Sequence, residues 1–445
     1  MRSVAVLICS IAVAALPAVA VAAPKLTTLY TFSGGADGGS PGAGLLPGWG
    51  GELYGTTESG GIGGNGTVFR LAPPGPGTTQ YTLTTLHSFA GGTDGVDPTN
   101  LVADWFGNLY GVTSAGGGSA ACSGGCGTVF QLRPPGPGHS EWTETVIHAF
   151  DGEEGRFPSG LAMDLFGNLY GFTWGGAGTC SGGCGTVYRL SPQRPGRSNW
   201  NYQRLYTFSD QGDGKGPFGI PAIGLDGTIY GLAYSGGPGA PAACAPFVGC
   251  GEAFKLSPPS PWASADTPWT KSAIWYFSGS DGTGAFNSLT LDWRGHLIGM
   301  TNEGGHTDAS CQSPGITPGC GVAFELVPPA HRGGAWSQKV IWQFTGGLDA
   351  GYPANSKPVP VFGGYLATTS GGNVAPGLYG ALVKFLPPTP ANTAWTEQTL
   401  YTFSNDVDGA VPLGVLLPFN GAVYGTTFGS GSGPAAAGTV YKFTP

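Results

Sequence analysis

Three short markers each recur seven times in the same order, and nothing else in the chain limits its fold as strongly. The first is an aromatic strand end: LYTF (29–32), LHSF (86–89), IHAF (147–150), LYTF (205–208), IWYF (274–277), IWQF (341–344) and LYTF (400–403). The second is an LYG-type run: Tyr54-Gly55, Tyr110-Gly111, Tyr170-Gly171, Tyr230-Gly231, Ile298-Gly299, Leu366-Ala367 and Tyr424-Gly425. The third is of GTVF type and opens at Gly66, Gly127, Gly185, Gly251, Gly321, Gly380 and Gly438. Residues 160–190 (GLAMDLFGNLYGFTWGGAGTCSGGCGTVYRL) show the local logic. An apolar run meets the turn residues of DLFGN, an aromatic and β-branched run follows, and TVYRL alternates beyond a glycine-rich loop. A fourth strand, WTETVIHAF at 142–150 in one repeat, completes a unit of about 60 residues with no helical period. Four strands per repeat, repeated seven times, predict an all-β fold: a seven-bladed β-propeller of four-stranded blades.

Let strand A be the GLxxD run, B the NLYGTT run, C the GTVFRL run and D the strand ending in LYTF. Past residue 23 the chain starts on a lone D strand (26–32) and finishes on a C strand (438–443). A single domain over 24–445 is therefore expected, with the N-terminal strand completing the last blade and pairing two otherwise open edges. Antiparallel neighbours put the D–A and B–C connections on one face, and the tight A–B turns and C–D loops on the other. The first face receives the cysteine loops, the long insertions and most acidic residues, so it is the expected working face. The second reads as plain turn chemistry.

Residues 1–23 read as a secretory signal, with Arg2, an apolar core over 4–16 and the small residues AVAVAA before Pro24. The same run is nearly long enough for an uncleaved anchor, but its small-residue end favours cleavage. No later segment is long and apolar enough to span a membrane. Cys9 lies inside the apolar core, and the other eight cysteines form four local pairs: Cys122/Cys126, Cys180/Cys184, Cys244/Cys250 and Cys311/Cys320. An even count in an exported chain predicts disulfides. The rival reading, a thiolate metal site, suffers because each pair belongs to a different repeat. Short loops gain the least from cross-linking, so these staples are expected to stiffen their loops rather than hold the fold. Only 10% of residues are charged, the net charge is −8, and no basic patch interleaves with aromatics, which excludes nucleic acid as a partner. The expected location is secreted or periplasmic.

The repeated LYTF, D-G-x-x-P, G-N-L-Y-G-T-T and G-T-V-F-R-L blocks resemble the GloVer tandem repeat family of exported bacterial proteins, the "choice-of-anchor" group. The resemblance covers nearly all of the chain beyond the leader. Members typically add a C-terminal sorting or anchoring segment, whereas Pro445 here directly follows the last C strand. The resemblance implies no established activity and carries over no catalytic residue.

One acidic residue marks each D–A loop: Asp37, Asp94, Glu154, Asp213, Asp281, Asp349 and Asp408, four positions before a proline in six of seven. As a carboxylate ring near the channel mouth these would hold a cation such as Ca²⁺ or meet a polyhydroxylated ligand. As Asx-type turns they would only shape their loops, and that reading is preferred. The B–C loops contribute Glu58, Trp174, Tyr234, Asn302, Glu303, His306, Asp308 and Phe428. Aromatics beside polar groups suit sugar rings, and the competing reading is that Trp174 and Tyr234 cover blade ends. The least regular repeat, the fifth, gathers Glu303, His306 and Asp308, the minimum for acid–base catalysis if they converge. His87 and His148 take the place held elsewhere by Tyr30, Tyr206, Trp275, Trp342 and Tyr401.

The expected function is an exported, non-catalytic binding module for extracellular carbohydrate or protein. Trp174, Tyr234, Glu58, Asn302 and Phe428 are the ligand-binding candidates; no cofactor is required and Ca²⁺ is the one allowed. The alternatives are a secreted polysaccharide lyase or hydrolase with its site at the channel mouth, and a structural envelope protein.

Overall fold

The computed structural model describes residues 23–193, 200–209, 212–237, 244, 249–260, 267–307, 311, 318–331, 333–349, 351–353, 355–371, 379–429 and 437–445. Within them the chain forms seven four-stranded antiparallel sheets. Blade 2 shows the plan, running Val96–Ala103, Leu109–Ala115, Thr128–Arg133 and Thr143–Ala149 from the axis outward. Its two middle strands are buried on nearly every residue because neighbouring blades cover both faces, while the outer strand is only half-buried. Blade 7 is composite. Pro412–Phe419, Ala422–Thr427 and Thr439–Thr444 come from the C-terminal end and Lys25–Thr31 from the N-terminal end. Lys25 pairs with Thr444 and Tyr30 with Val440, and the Phe32 N–H donates to the Gly438 carbonyl at 3.0 Å. The predicted ring closure is present, with the strand set one residue earlier than 26–32.

The three markers are the parts of one inter-blade core. The phenylalanine that ends each D strand packs edge-on against the C-strand aromatic of the following blade. Phe32–Phe69, Phe89–Phe130, Phe150–Tyr188, Phe208–Phe254, Phe277–Phe324 and Phe403–Tyr441 have centroids 5.1–5.3 Å apart. Each such pair is worth about 0.5–1.5 kcal/mol beyond its buried area. The LYG glycine makes room for that aromatic within its own blade: a Cβ on Gly111 would lie 2.5 Å from Phe130 Cζ. Blade 6 carries Ala367 instead, and the residue paired with it is Val383. Methyl and ring exclude one another. The D-strand ladders also slip once, at Leu29, Leu86, Ile147, Leu205, Ile274, Ile341 or Leu400, a bulge that re-aims the aromatic after it.

The proline of D-G-x-x-P locks each blade to the one before it. Pro41, Pro98, Pro158, Pro217, Pro353 and Pro412 seat on the GTVF-type glycines of the preceding blades, where a Cβ would come within 2.9 Å of proline Cδ. The residue before each proline lies in the left-handed region even where it is not glycine: Ser40, Asp97, Phe157, Tyr352 and Val411 have φ of 52–56°. Such backbone costs about 1–3 kcal/mol unless its surroundings over-determine it. Here they do. The N–H groups of Ser40, Asp97, Phe157, Gly216, Tyr352 and Val411 each donate to a carbonyl of the preceding blade at 2.7–3.1 Å. Blade 5 lacks the proline and has Ala285 there.

All four expected disulfides are present: Cys122–Cys126, Cys180–Cys184, Cys244–Cys250 and Cys311–Cys320, with Cα atoms 4.9–5.2 Å apart. The carbonyls of Cys126, Cys184 and Cys320 are three of the six acceptors just described, so those disulfide loops end at the blade joint. The Cys244–Cys250 pair stands before blade 5, where the proline is missing, and works from within the core. Cys244 and Cys250 are both buried, in one apolar cluster with Leu232, Ala253, Ile274 and Phe277. A disulfide is an apolar group, and turning it inward removes it from water. Cys250 therefore adds nothing to the exposed surface of the working face on which the sequence reading placed its loop.

Turn chemistry on the opposite face is as read. Asp104 Oδ1 accepts the N–H groups of Phe106 and Asn108, and its Oδ2 accepts Asn108 Nδ2 and the Tyr110 hydroxyl. The turn tips are not plain, however. Trp49, Trp105, Leu165, Leu225, Trp293 and Phe362, one per blade on six blades, are 84–106% exposed. No helix among the described residues is long and apolar enough to cross a membrane. Residues 1–22 lie outside the described residues.

Candidate functional site

The D–A carboxylates are engaged within their own loops. Asp37 accepts the Tyr30 hydroxyl at 3.0 Å and the Ser33 N–H at 2.9 Å, and its other oxygen accepts the Ser33 hydroxyl. Asp213, Asp281, Asp349 and Asp408 repeat this with Tyr206, Trp275, Trp342 and Tyr401 and with Ser209, Ser278, Thr345 and Ser404. Asp94 does so with His87 and the Ala90 N–H. In these six both carboxylate oxygens have donors. Burial opposes the charge on Asp37, but the hydrogen bonds from Ser33 and Tyr30 outweigh it and hold the carboxyl below its usual range. Burial and the neighbouring carboxylate push the Tyr30 phenol up to about 12. Glu154 differs: an oxygen lies 3.1 Å from His148 Nε2 without hydrogen-bond alignment, and Asp151 takes the turn N–H instead. Desolvation lowers His148 to about 4, so it is neutral. Both histidines lie edge-on to the next phenylalanine, as Tyr30 does to Phe32. Because every acid reaches a D strand, the outermost of its blade, the carboxylates stand toward the rim and not at the channel mouth.

The axis is lined by strand A and B–C loop residues of all seven blades, among them Gly44, Glu58, Asn100, Ser159, Ile220, Ser288, Asn355 and Val415. The space left is about 60 Å³. That is room for about two waters, so the ring is plugged at this level. Hydrogen bonds between blades tighten the plug, including Thr99 Oγ1 to the Ser159 carbonyl at 2.9 Å and the Leu161 N–H to Asn100 Oδ1 at 2.9 Å.

One position recurs at the end of strand B in each blade, after a buried threonine in six of them and after Ala233 in blade 4: Glu58, Ser114, Trp174, Tyr234, Asn302, Ser370 and Phe428. Glu58 borders the axial cavity, so this end of strand B opens on the axial mouth. Trp174 and Tyr234 meet at 5.2 Å. Two residues that the sequence reading missed join them: Phe218 and Phe286, stacked at 3.8 Å and lying 5.9 and 5.4 Å from Trp174. The available signal was the position after the D–A loop proline, aromatic only in blades 4 and 5. All four rings are half-buried.

Across the mouth, Glu58 and Phe428 both border Gly42. Burial, then the charge of Asp97, pushes the Glu58 carboxyl up to about 7. Asp97 is itself raised by burial, against a hydrogen bond from Ser114. Asn302 keeps a buried Oδ1 with no hydrogen-bond partner. Glu303 is buried beside Tyr234, whose phenol burial and that carboxylate push up to about 12. His306 is exposed, so these two do not share the environment that a general acid and its partner need, and Asp308 lies outside the described residues.

The sequence profile of the Gloeobacter/Verrucomicrobia repeat matches residues 18–245. The chain belongs to that family. No curated protein matches the sequence. Among solved structures it is similar to the polysaccharide lyase Uly1, at 12% identity and a TM-score of 0.52 over 92% of this chain and 90% of that one. It is also similar to the PQQ-bound aldose sugar dehydrogenase of Streptomyces coelicolor, at 13% identity and a TM-score of 0.43 over 95% and 98% of the two chains. At such identities the likeness shows a shared fold alone.

Proposed function

We propose that this protein is an exported, non-catalytic binding module that holds extracellular carbohydrate on the axial mouth of its loop face. The observation that carries the reading is the cluster of Trp174, Phe218, Tyr234 and Phe286, supplied by three blades, with Phe218 lining the axial cavity together with Glu58. A sugar ring offers an apolar face to aromatic rings and hydroxyl edges to acceptors such as Glu58 and Asp97. The shape also favours a surface binder. Enclosed small-molecule sites run to about 300–1,000 Å³, whereas the axial cavity holds about 60 Å³. Four disulfides and the signal-like residues 1–23 support a secreted or periplasmic location.

A glycan array probed with residues 24–445, with and without EDTA, tests this. Trp174→Ala should weaken the best glycan by more than about tenfold, or 1.4 kcal/mol. No binding to any glycan would sink the carbohydrate reading.

A second reading, a polysaccharide lyase or hydrolase, is favoured by Glu58, whose carboxyl near 7 suits a general acid. It requires that polysaccharide be cut and that Glu58→Gln abolish the cutting.

A further inference from the structure

The joint between blades 1 and 2 departs from the other joints at two positions at once. Each joint brings together a D-strand ring, the D–A loop acid that binds it, and one side chain from the next blade's D strand. Ladder register places that third side chain: Leu83, Glu144, Tyr202, Lys271, Gln338, Glu397 and Leu26. In three joints it is a donor to the acid's own backbone carbonyl. The Tyr202 hydroxyl reaches Glu154 O at 3.1 Å, Lys271 Nζ reaches Asp213 O at 2.5 Å, and Gln338 Nε2 reaches Asp281 O at 3.0 Å. In the blade 1–2 joint the ring is His87 and the third side chain is Glu144. Here alone among the described residues three groups of metal-ligating type meet, one ligand atom from each of His87, Asp94 and Glu144 lying within 4.8 Å of the others. His87 Nε2 is 3.1 Å from Asp94 Oδ1. Glu144 Oε1 is buried and has no hydrogen-bond partner, so it waits for one.

We propose that His87, Asp94 and Glu144 bind a first-row transition cation such as Zn²⁺, which clips blade 1 to blade 2 at the rim. The donor set decides the class. Imidazole nitrogen with two carboxylate oxygens suits borderline cations and not Ca²⁺, which takes six or more oxygens. The spacing fits as well. Ligands about 2.1 Å from a tetrahedral zinc stand about 3.4 Å apart, so His87 and Asp94 are already placed, and Glu144, within 4.8 Å of both, is the ligand that closes in. One divalent charge also balances two carboxylates, where three other joints set a neutral or cationic donor beside the acid. The neighbouring joint lacks such a set because Tyr202 stacks on His148 at 4.3 Å where Glu144 would stand. The blade 5–6 joint has Glu397 and Asp349 but a tryptophan, Trp342, as its ring.

The repeat supplies its own controls. Tyrosine occupies the His87 position in three joints and glutamine the Glu144 position in one, so His87→Tyr and Glu144→Gln place residues this fold already uses there. Residues 24–445, stripped with EDTA and dialysed, are titrated with Zn²⁺ by calorimetry, and bound metal is counted by elemental analysis. The wild-type protein should hold one zinc that Ca²⁺ does not displace. Each variant should lose that one equivalent, or more than about tenfold in its affinity, while keeping the wild-type circular dichroism. A wild-type protein that takes up no zinc, or variants that hold as much as it does, would overturn the assignment. Glycan binding at the axial mouth should be the same in all three, which keeps this test separate from the proposed function.

Discussion

Blade 6 shows how a blade accommodates a side chain at the LYG position, and transplanting its solution makes a sharp test of the inter-blade core. Gly111→Ala places a methyl 2.5 Å from Phe130 Cζ, 2.9 Å from Cε1 and 3.0 Å from Leu101 Cδ2, all in fully buried surroundings. Carbon atoms prefer about 3.5–4.0 Å, so the ring must retreat by about 1 Å against Phe89, its edge-on partner at 5.1 Å. Overpacking of this kind costs about 1–3 kcal/mol. Phe130→Val alone removes the contact with Phe89 and leaves a cavity, for about 2–4 kcal/mol. Together the two changes recreate the Ala367–Val383 pair of blade 6. The methyl then fills part of the vacated volume, so the double variant should be more stable than the sum of the singles predicts by at least about 1 kcal/mol. Guanidinium unfolding followed by far-UV ellipticity measures all four proteins. Costs that add to within about 0.5 kcal/mol would refute the account of why the glycine is there.

Burial, then Asp349, pushes Glu397 up to about 7 against a hydrogen bond from Thr399, and burial and Asp97 do the same to Glu58. A folded-state value above the unfolded one means that the folded protein binds more protons between about 4.5 and 7, so stability falls as pH rises through that window. Glu397→Gln should shrink the loss in melting temperature between about pH 5 and about pH 8; an unchanged loss contradicts it. Trp105→Ser and Trp293→Ser, at turn tips about nine-tenths exposed, should leave stability within about 0.5 kcal/mol of wild type in the same denaturation assay. A larger loss would mean that those rings pack on something in solution.

The ring and its closure were legible because a period needs no knowledge of contacts. Seven copies of LYTF, LYG and GTVF demand seven equivalent units, and a lone D strand at one end with a missing one at the other leaves a single way to pair both edges. What the markers do was not legible. Phe89 meets Phe130 across a blade boundary, and nothing in the spacing of either motif says which face of which neighbour it will cover. The cysteine pairs could be matched by spacing, but that Cys250 turns inward onto Ile274 and Phe277 depends on how its loop folds back. The D-G-x-x-P block was read through its acid alone, and the structure divides it: the acid clamps a D strand at the rim, and the proline latches onto a glycine of the preceding blade. Of the mouth residues, Trp174 and Tyr234 were found from the chemistry expected of B–C loops, although both lie in strand B. Phe218 lies within a strand and Phe286 in the D–A connection of blade 5, where no motif pointed to them.

Periodicity along the chain, then, determined the blade count, the strand order and the closure, since hydrogen-bond ladders and antiparallel pairing are local consequences of repeated patterns. Tertiary structure alone decided that four rings from three blades form one platform, that the axis is plugged, and that His87, Asp94 and Glu144 meet. Those are convergences between residues tens of positions apart, and their distances are set by how each blade packs against the next.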